Sequence, residues 1–171
     1  MGLLEGLITK SYTLGDLMNI DSTRQQKANA CSVELVKVFH ELRPKSILDK
    51  FKAFFGKKNI LNTYYVIFKF SVKSDTGQEH VVFIKTNPDF NLQNWDNNKA
   101  QVFCDCADFK FRSAYALNQH NSLFLNDKTK LSLGPALATA PKRIQPTLLC
   151  KHSFAAVQWL VNNYSNVMQT I

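Results

Sequence analysis

The chain has 171 residues and a formal net charge of +8, from 21 Lys and Arg against 13 Asp and Glu. That length suits one domain, or one domain with an added arm, and is enough to build a real core. No apolar run approaches the roughly 18–20 residues of a membrane span, and the basic balance favours an acidic partner, either nucleic acid or an acidic protein surface.

Residues 1–30 read as an N-terminal arm or extension. The opening "MGLLEGLITK" lacks a basic n-region and a cleavable apolar core, so export is not expected. A myristoylation signal wants Ser or Thr at position six, where Gly6 stands. The following "SYTLGDLMNIDSTRQQKANA" has a weak pattern that fits a short helix or an extended arm. The apolar residues of the first eighteen positions have no evident place in a core, which suits an arm that reaches a partner.

Residues 31–171 read as a single α+β domain. "SVELVKVFHEL", from Ser32 to Leu42, predicts a helix. Val33, Val36 and Phe39, with Leu35 and Leu42, recur at helical spacing; Ser32 can cap it and Pro44 stops it. "SILDKFKAFFGKKN" predicts a second helix, with Ile47, Leu48, Phe51, Phe54 and Phe55 as its stripe and Gly56 at its end.

The period then changes. Tyr64, Val66, Phe68, Phe70 and Val72 fall on one face, and Tyr65, Ile67, Lys69, Ser71 and Lys73 on the other. That is strand alternation in aromatic and branched residues. "SDTGQ" signals a turn at Gly77, and "EHVVFIKT" is the second strand of a hairpin. An Asn-rich loop follows, and "KAQVFC" is a third strand that delivers Cys104 at its end. Asp108 could cap a helix through Phe111, Tyr115 and Leu117. Positions 121–146, with Gly134, Pro135, Pro141 and Pro146, read as a long irregular insert. "LLCKHSFAAVQWLVNNYSNVM" closes the chain as an amphipathic helix with Phe154, Val157, Leu160, Val161 and Tyr164 inward. The expected order is N-terminal helices, a three-stranded antiparallel meander, then helix, insert and C-terminal helix.

Four cysteines stand in the chain: Cys31, Cys104, Cys106 and Cys150. Cys104 and Cys106 are too close to staple a loop usefully. In a chain with no expected export, clustered cysteines more often mean metal. Cys104-Asp-Cys106 and Cys150-Lys-His152 together supply three thiolates and one imidazole, a standard closed set for tetrahedral zinc. Such a site contributes directly to folding. Three other readings compete. The cysteines could be small core residues, they could form disulfides, or a Cys–His pair could act as nucleophile and base. The last lacks an orienting third residue, and a fully protein-ligated zinc leaves no open position for water. Cys31 reads as core, and His40, His80 and His120 as ordinary.

The pattern C-x-C…C-x-H resembles the SWIM-type zinc finger, over Cys104 to about Leu160. The resemblance implies zinc held by Cys104, Cys106, Cys150 and His152 in a ββα-like unit over residues 100–165, with an insert long for the family. It also implies an accessory role in binding DNA or proteins rather than catalysis. No G-x-x-x-x-G-K-[ST] loop accompanies it. The string "VFCDCADFKFRSAY" with the later "LLCKHSFAA" is also similar to small virion-associated proteins of large tailed bacteriophages. Those read C-x-C-P-D-F, then C-K-H; Ala107 stands here in place of the Pro. That resemblance implies a structural component at the head, neck or head–tail junction. Its partners would be other virion proteins and copies of itself, and its place the virion or the infected cell's cytoplasm. No membrane and no small-molecule substrate are implied.

The alternative is nucleic-acid binding. Arg43, Lys45, Lys50, Lys52, Lys57 and Lys58 cluster against Asp49 alone. A second set surrounds the motif: Lys110, Arg112, Lys128, Lys130, Lys142, Arg143 and Lys151. Phe109, Phe111 and Tyr115 interleave with it and could stack bases, or pack against the final helix. The cations could equally offset the charge of about −1 that three thiolates leave on Zn²⁺.

Overall fold

A four-stranded antiparallel sheet in the order β1-β2-β3-β4 organises the molecule. The computed structural model describes residues 11–19, 22–42, 64–87, 92–137 and 148–170. The strands are β1 (Ser32–Leu42), β2 (Tyr64–Lys73), β3 (Glu79–Thr86) and β4 (Ala100–Cys104). Five α-helices accompany them among the described residues: α1 (Leu14–Leu17), α2 (Ser22–Asn29), α3 (Ala114–Gln119), α4 (Asp127–Leu133) and α5 (Lys151–Thr170).

The alternation in β2 has the expected consequence. Val66, Phe68, Phe70 and Val72 are buried, and β3 sets Thr86, Ile84, Val82 and His80 directly opposite them. Opposed residues of an antiparallel pair share a face. β4 then places Cys104 beside Val82 and Val102 beside Ile84. Helix α5 lies on this face, with Trp159 edge-on to Phe70 at 5.5 Å and Tyr164 to Phe68 at 6.0 Å. Its inward stripe is the expected one: Phe154, Val157 and Leu160 are buried, and Val161 and Tyr164 pack at the margin. Gly77 turns the β2–β3 hairpin at φ +82°, a conformation side chains rarely adopt.

Residues 32–42 are a strand, not the expected helix, so the meander has four strands. A β-bulge explains the misreading. Val33 lies opposite Val72 and Leu35 opposite Phe70, but Val36 is skipped and Val38 meets Phe68. One extra residue resets the alternation. The core-facing positions therefore step 33, 35, 38, while Val36 and Leu42 of the expected helical stripe are exposed. Val33, Val36, Val38 and Phe39 are also strand formers, and pairing with β2 satisfies their backbone. The helix expected over residues 46–59 lies outside the described residues.

The arm is tied into the fold where it is described. Leu14 and Leu17 are fully buried, against the expectation that they lack a place in the core. A capping box between Thr13 and Asp16 starts α1. The Leu14 amide donates to the Asn98 carbonyl at 2.8 Å and the Tyr12 amide to the Ser122 hydroxyl at 2.8 Å. The Asn-rich loop contains a 3₁₀ turn, Leu92–Asn97, against which α1 rests.

The insert is also more ordered than expected up to residue 137. Asn126 and Thr129 form a capping box for α4, and Leu133 is buried. The Gly and Pro signals begin only after that helix. Residues 122–124 run along the outer edge of β4, with Val102 donating to Ser122 at 2.9 Å and accepting from Phe124 at 3.1 Å. That edge of the sheet is thereby covered.

Leu17→Ala should lower unfolding free energy by about 2–5 kcal/mol, the usual cost of truncating a fully buried leucine. Urea denaturation measures it. A change near zero would show that the arm is not part of the core.

Candidate metal centre

Four side chains meet at one end of the sheet's core face. Cys104 is the last residue of β4, and Cys106 follows after the chain turns at Asp105. Cys150 precedes α5 and His152 sits in its first turn. All four are buried, and their sulfur and ring-nitrogen atoms lie within 4.8 Å of one another. Tetrahedral donors about 2.0–2.3 Å from a zinc ion would stand about 3.3–3.8 Å apart, so a small contraction closes the set.

Local structure aims each sulfur. The Cys106 sulfur accepts the Phe109 amide at 3.3 Å, and the Cys150 sulfur accepts the Ser153 amide at 3.4 Å. Both bonds join residues three apart, as an N-cap does. Cys150 caps α5, whose N-terminal dipole favours an anionic sulfur. Cys106 caps a π-helical turn, Phe109–Ser113, that leads into α3. Asp108 makes no side-chain cap there. It pairs instead with Arg112 at 2.9 Å, while Arg24 stands 4.0 Å away.

His152 carries the test of fit. Both its ring nitrogens are buried and neither makes a hydrogen bond. An unsatisfied buried polar group costs about 1–3 kcal/mol. No other buried side-chain nitrogen or oxygen among the described residues is in that state. Coordination of a metal ion by one nitrogen removes part of that cost.

The sulfurs point the same way. Burial pushes the Cys104 thiol far above its usual range, and hydrogen bonds with Cys106 and Cys150 add to this. For Cys106 the bond with Cys104 favours the thiolate. The bond with Cys150 and burial outweigh it and push the thiol up to about 12. Burial also opposes ionisation of Cys150, but bonds from Cys104, Cys106 and Ser153, with the nearby His152 ring, hold it well below the usual thiol range. Coordination to a divalent cation would favour all three as thiolates.

One residue read as ordinary belongs beside this group. His80 lies two positions from Val82 on the core face, and Val82 opposes Cys104. Its ring is 4.2 Å from that of His152, and its Nδ1 is 3.0 Å from the Asp105 carboxylate. Asp105 is the residue between the first two cysteines. His80 thus ties the Cys-x-Cys turn to the His152 ring, the kind of outer support that orients ligands. The hairpin register was the signal that could have found it.

The other expected residues divide. Lys151 pairs with Asp75 at 2.7 Å and, with Arg112, borders the site. Lys110 is part-buried outside it, and Lys128 and Lys130 are exposed on α4. Lys142 and Arg143 lie outside the described residues. Phe109 is fully buried against Phe103, whereas Phe111 is exposed. Cys31 is part-buried before β1 rather than in a helix, and its thiol donates to the Lys27 carbonyl. None of the four cysteines is in a disulfide. Two cations had no signal in the sequence: Arg24 and Lys27 of α2, brought to the site from about 80 residues away in the chain. The Arg24 guanidinium donates to the Leu149 carbonyl at 3.1 Å, next to Cys150.

Compared with known proteins, the chain matches no family model, no curated protein sequence and no solved structure. No helix among the described residues is long and apolar enough to cross a membrane.

Two outcomes are expected. Zinc loading near pH 7.5 should release about two protons, from Cys104 and Cys106, because their raised thiols are protonated there and coordination requires thiolates. Affinity should accordingly rise about 100-fold per pH unit in that range. Calorimetry in buffers of different ionisation enthalpy counts the protons; release of none contradicts the reading. His80→Ala should weaken zinc about 10-fold or more, read by competition with a chromophoric chelator, and an unchanged affinity would remove His80 from the site.

Proposed function

We propose that Cys104, Cys106, Cys150 and His152 hold one zinc ion as a closed structural centre. The protein is then a non-enzymatic, zinc-stabilised structural and interaction protein. The observation that carries this is the buried imidazole of His152, without a hydrogen bond and within 4.8 Å of three sulfurs. Three soft sulfurs and one nitrogen suit zinc in a tetrahedron, and four protein donors leave no position for a reacting water. When bound, the ion supplies charge balance and a cross-link. It joins β4, the turn after it and the start of α5, elements 46 residues apart between Cys104 and Cys150.

The setting rests on the motif. The spacing C-x-C…C-x-H supports a SWIM-like unit, and the wider string supports a component of a tailed-phage particle, at the head, neck or head–tail junction. Its partners are other virion proteins and copies of itself, in the virion or in the infected cell's cytoplasm. A second reading, an accessory nucleic-acid-binding module, is favoured by one feature: Phe111 stands 67% exposed between Lys110 and Arg112. The two agree for a particle component that lies near packaged DNA.

Elemental analysis of the purified chain should give about one zinc per molecule. Cys150→Ser should lose the metal and most of the cooperative unfolding transition, because metal binding is part of the folding free energy in such sites. A parent chain purified under reducing conditions with no metal, yet fully folded, would return all four residues to ordinary core.

A further inference from the structure

One side of the metal centre is not sealed by the core. Cys104 and Cys150 have no exposed surface, whereas Cys106 and His152 keep 4% and 5%. Cys106, Cys150 and His152 line a cavity of about 470 Å³. Helix α2 forms one wall of that cavity, through Thr23, Arg24 and Lys27.

Little apolar surface holds α2 there. It runs over Ser22–Asn29, and Ala28 is its one buried residue. Arg24 is part-buried, and the other six residues are exposed. Arg24 and Ala28 stand four apart and so share a face. α2 packs against α5 with that face inward. A helix this short is marginal in water by itself, and a single methyl group buries little area. The inward contacts of α2 therefore fall largely to Arg24.

Arg24 reaches both halves of the donor set. Its side chain is 11% exposed. Its Nη1 donates to the Leu149 carbonyl at 3.1 Å, and its Nη2 stands 4.0 Å from the Asp108 carboxylate. Leu149 immediately precedes Cys150, and Asp108 follows Cys106 by two residues. Asp108 is itself held by Arg112 at 2.9 Å. A guanidinium is a rigid planar fork, so its two arms set the two segments relative to each other, which a single flexible donor does not. The same group that ties the segments together also ties α2 down over the cavity.

We propose that Arg24 is a positioning residue for the metal centre. By spanning the Leu149 carbonyl and Asp108 it keeps Cys150 and Cys106 at ligation distance, and it holds α2 as a strap past which the metal exchanges. This rests on the zinc reading above and adds the element that controls retention of the ion. Outer groups that orient ligands typically govern about 10–100-fold in metal affinity.

The test uses the full zinc-loaded chain. Zinc content is measured at the start, and release is then followed in excess chromophoric chelator. Arg24→Met keeps the apolar stem and removes the fork, and release should be about 10–100-fold faster. Arg24→Lys keeps one donor but not the fork and should release at an intermediate rate. It carries the test by itself if Arg24→Met does not load zinc. Lys27→Gln removes a cation from the same helix and cavity but leaves the Arg24 contacts in place, and it should release as the parent does. Leu17→Ala weakens the same N-terminal segment at a residue that does not line the cavity, and it should also keep the parent's rate. A parent without zinc defeats the metal centre itself. A zinc-loaded Arg24 variant that releases at the parent's rate defeats the positioning role alone. Equal acceleration by Lys27→Gln would assign the effect to cavity charge, and equal acceleration by Leu17→Ala would assign it to lost stability; either result overturns the proposal.

Discussion

Three buried sulfurs and an imidazole without a hydrogen bond, all within 4.8 Å, could hold a metal ion, and holding one requires all four in one place. Without one, burial raises the Cys104 thiol, the bond with Cys150 and burial together raise that of Cys106, and bonds from its neighbours lower that of Cys150. With one, three thiolates become neighbours of a divalent ion rather than of each other. The geometry of this end of the molecule follows from that requirement. β4 must end on its core face, the chain must turn within one residue, and α5 must begin at the same point.

The scaffold meets the requirement with ordinary devices. Strand register carries Cys104 to the core face beside Val82, and the same register places His80 within reach of His152 and Asp105. Two sulfurs serve as helix caps, so amides that would lack partners stabilise atoms that could hold a metal. Below the site, Phe68 and Phe70 hold α5 against the sheet through Tyr164 and Trp159. The helix thus starts in the Cys–His cluster and is fixed along its length by aromatic packing.

Cations border the cluster, Lys151 and Arg112 among them, where they would offset thiolates if a metal is held. α2 crosses the site carrying Arg24 and Lys27, and the Arg24 contact with Leu149 joins the N-terminal segment to the approach to Cys150. The segment read as an arm therefore forms a wall of the site.

What the sequence by itself determined is what neighbours in the chain encode. Alternation marked β2, β3 and β4, the apolar stripe marked α5, and Cys-x-Cys with Cys-x-His marked the donors. Each of these signals spans a few residues and survives without knowledge of the fold. The bulge at Val36 shows how narrow that legibility is. One skipped residue broke the strand's alternation at Val36, and only pairing with β2 resolved it. Leu14 and Leu17 looked unplaced because their partners lie far along the chain. Arg24 and Lys27 gave no sign at all, and His80 was signalled only by the hairpin register. Their importance comes from strand register and helix docking, which bring together residues tens of positions apart. Such contacts are set by the burial of whole faces rather than by local pattern, so only the tertiary structure could decide them.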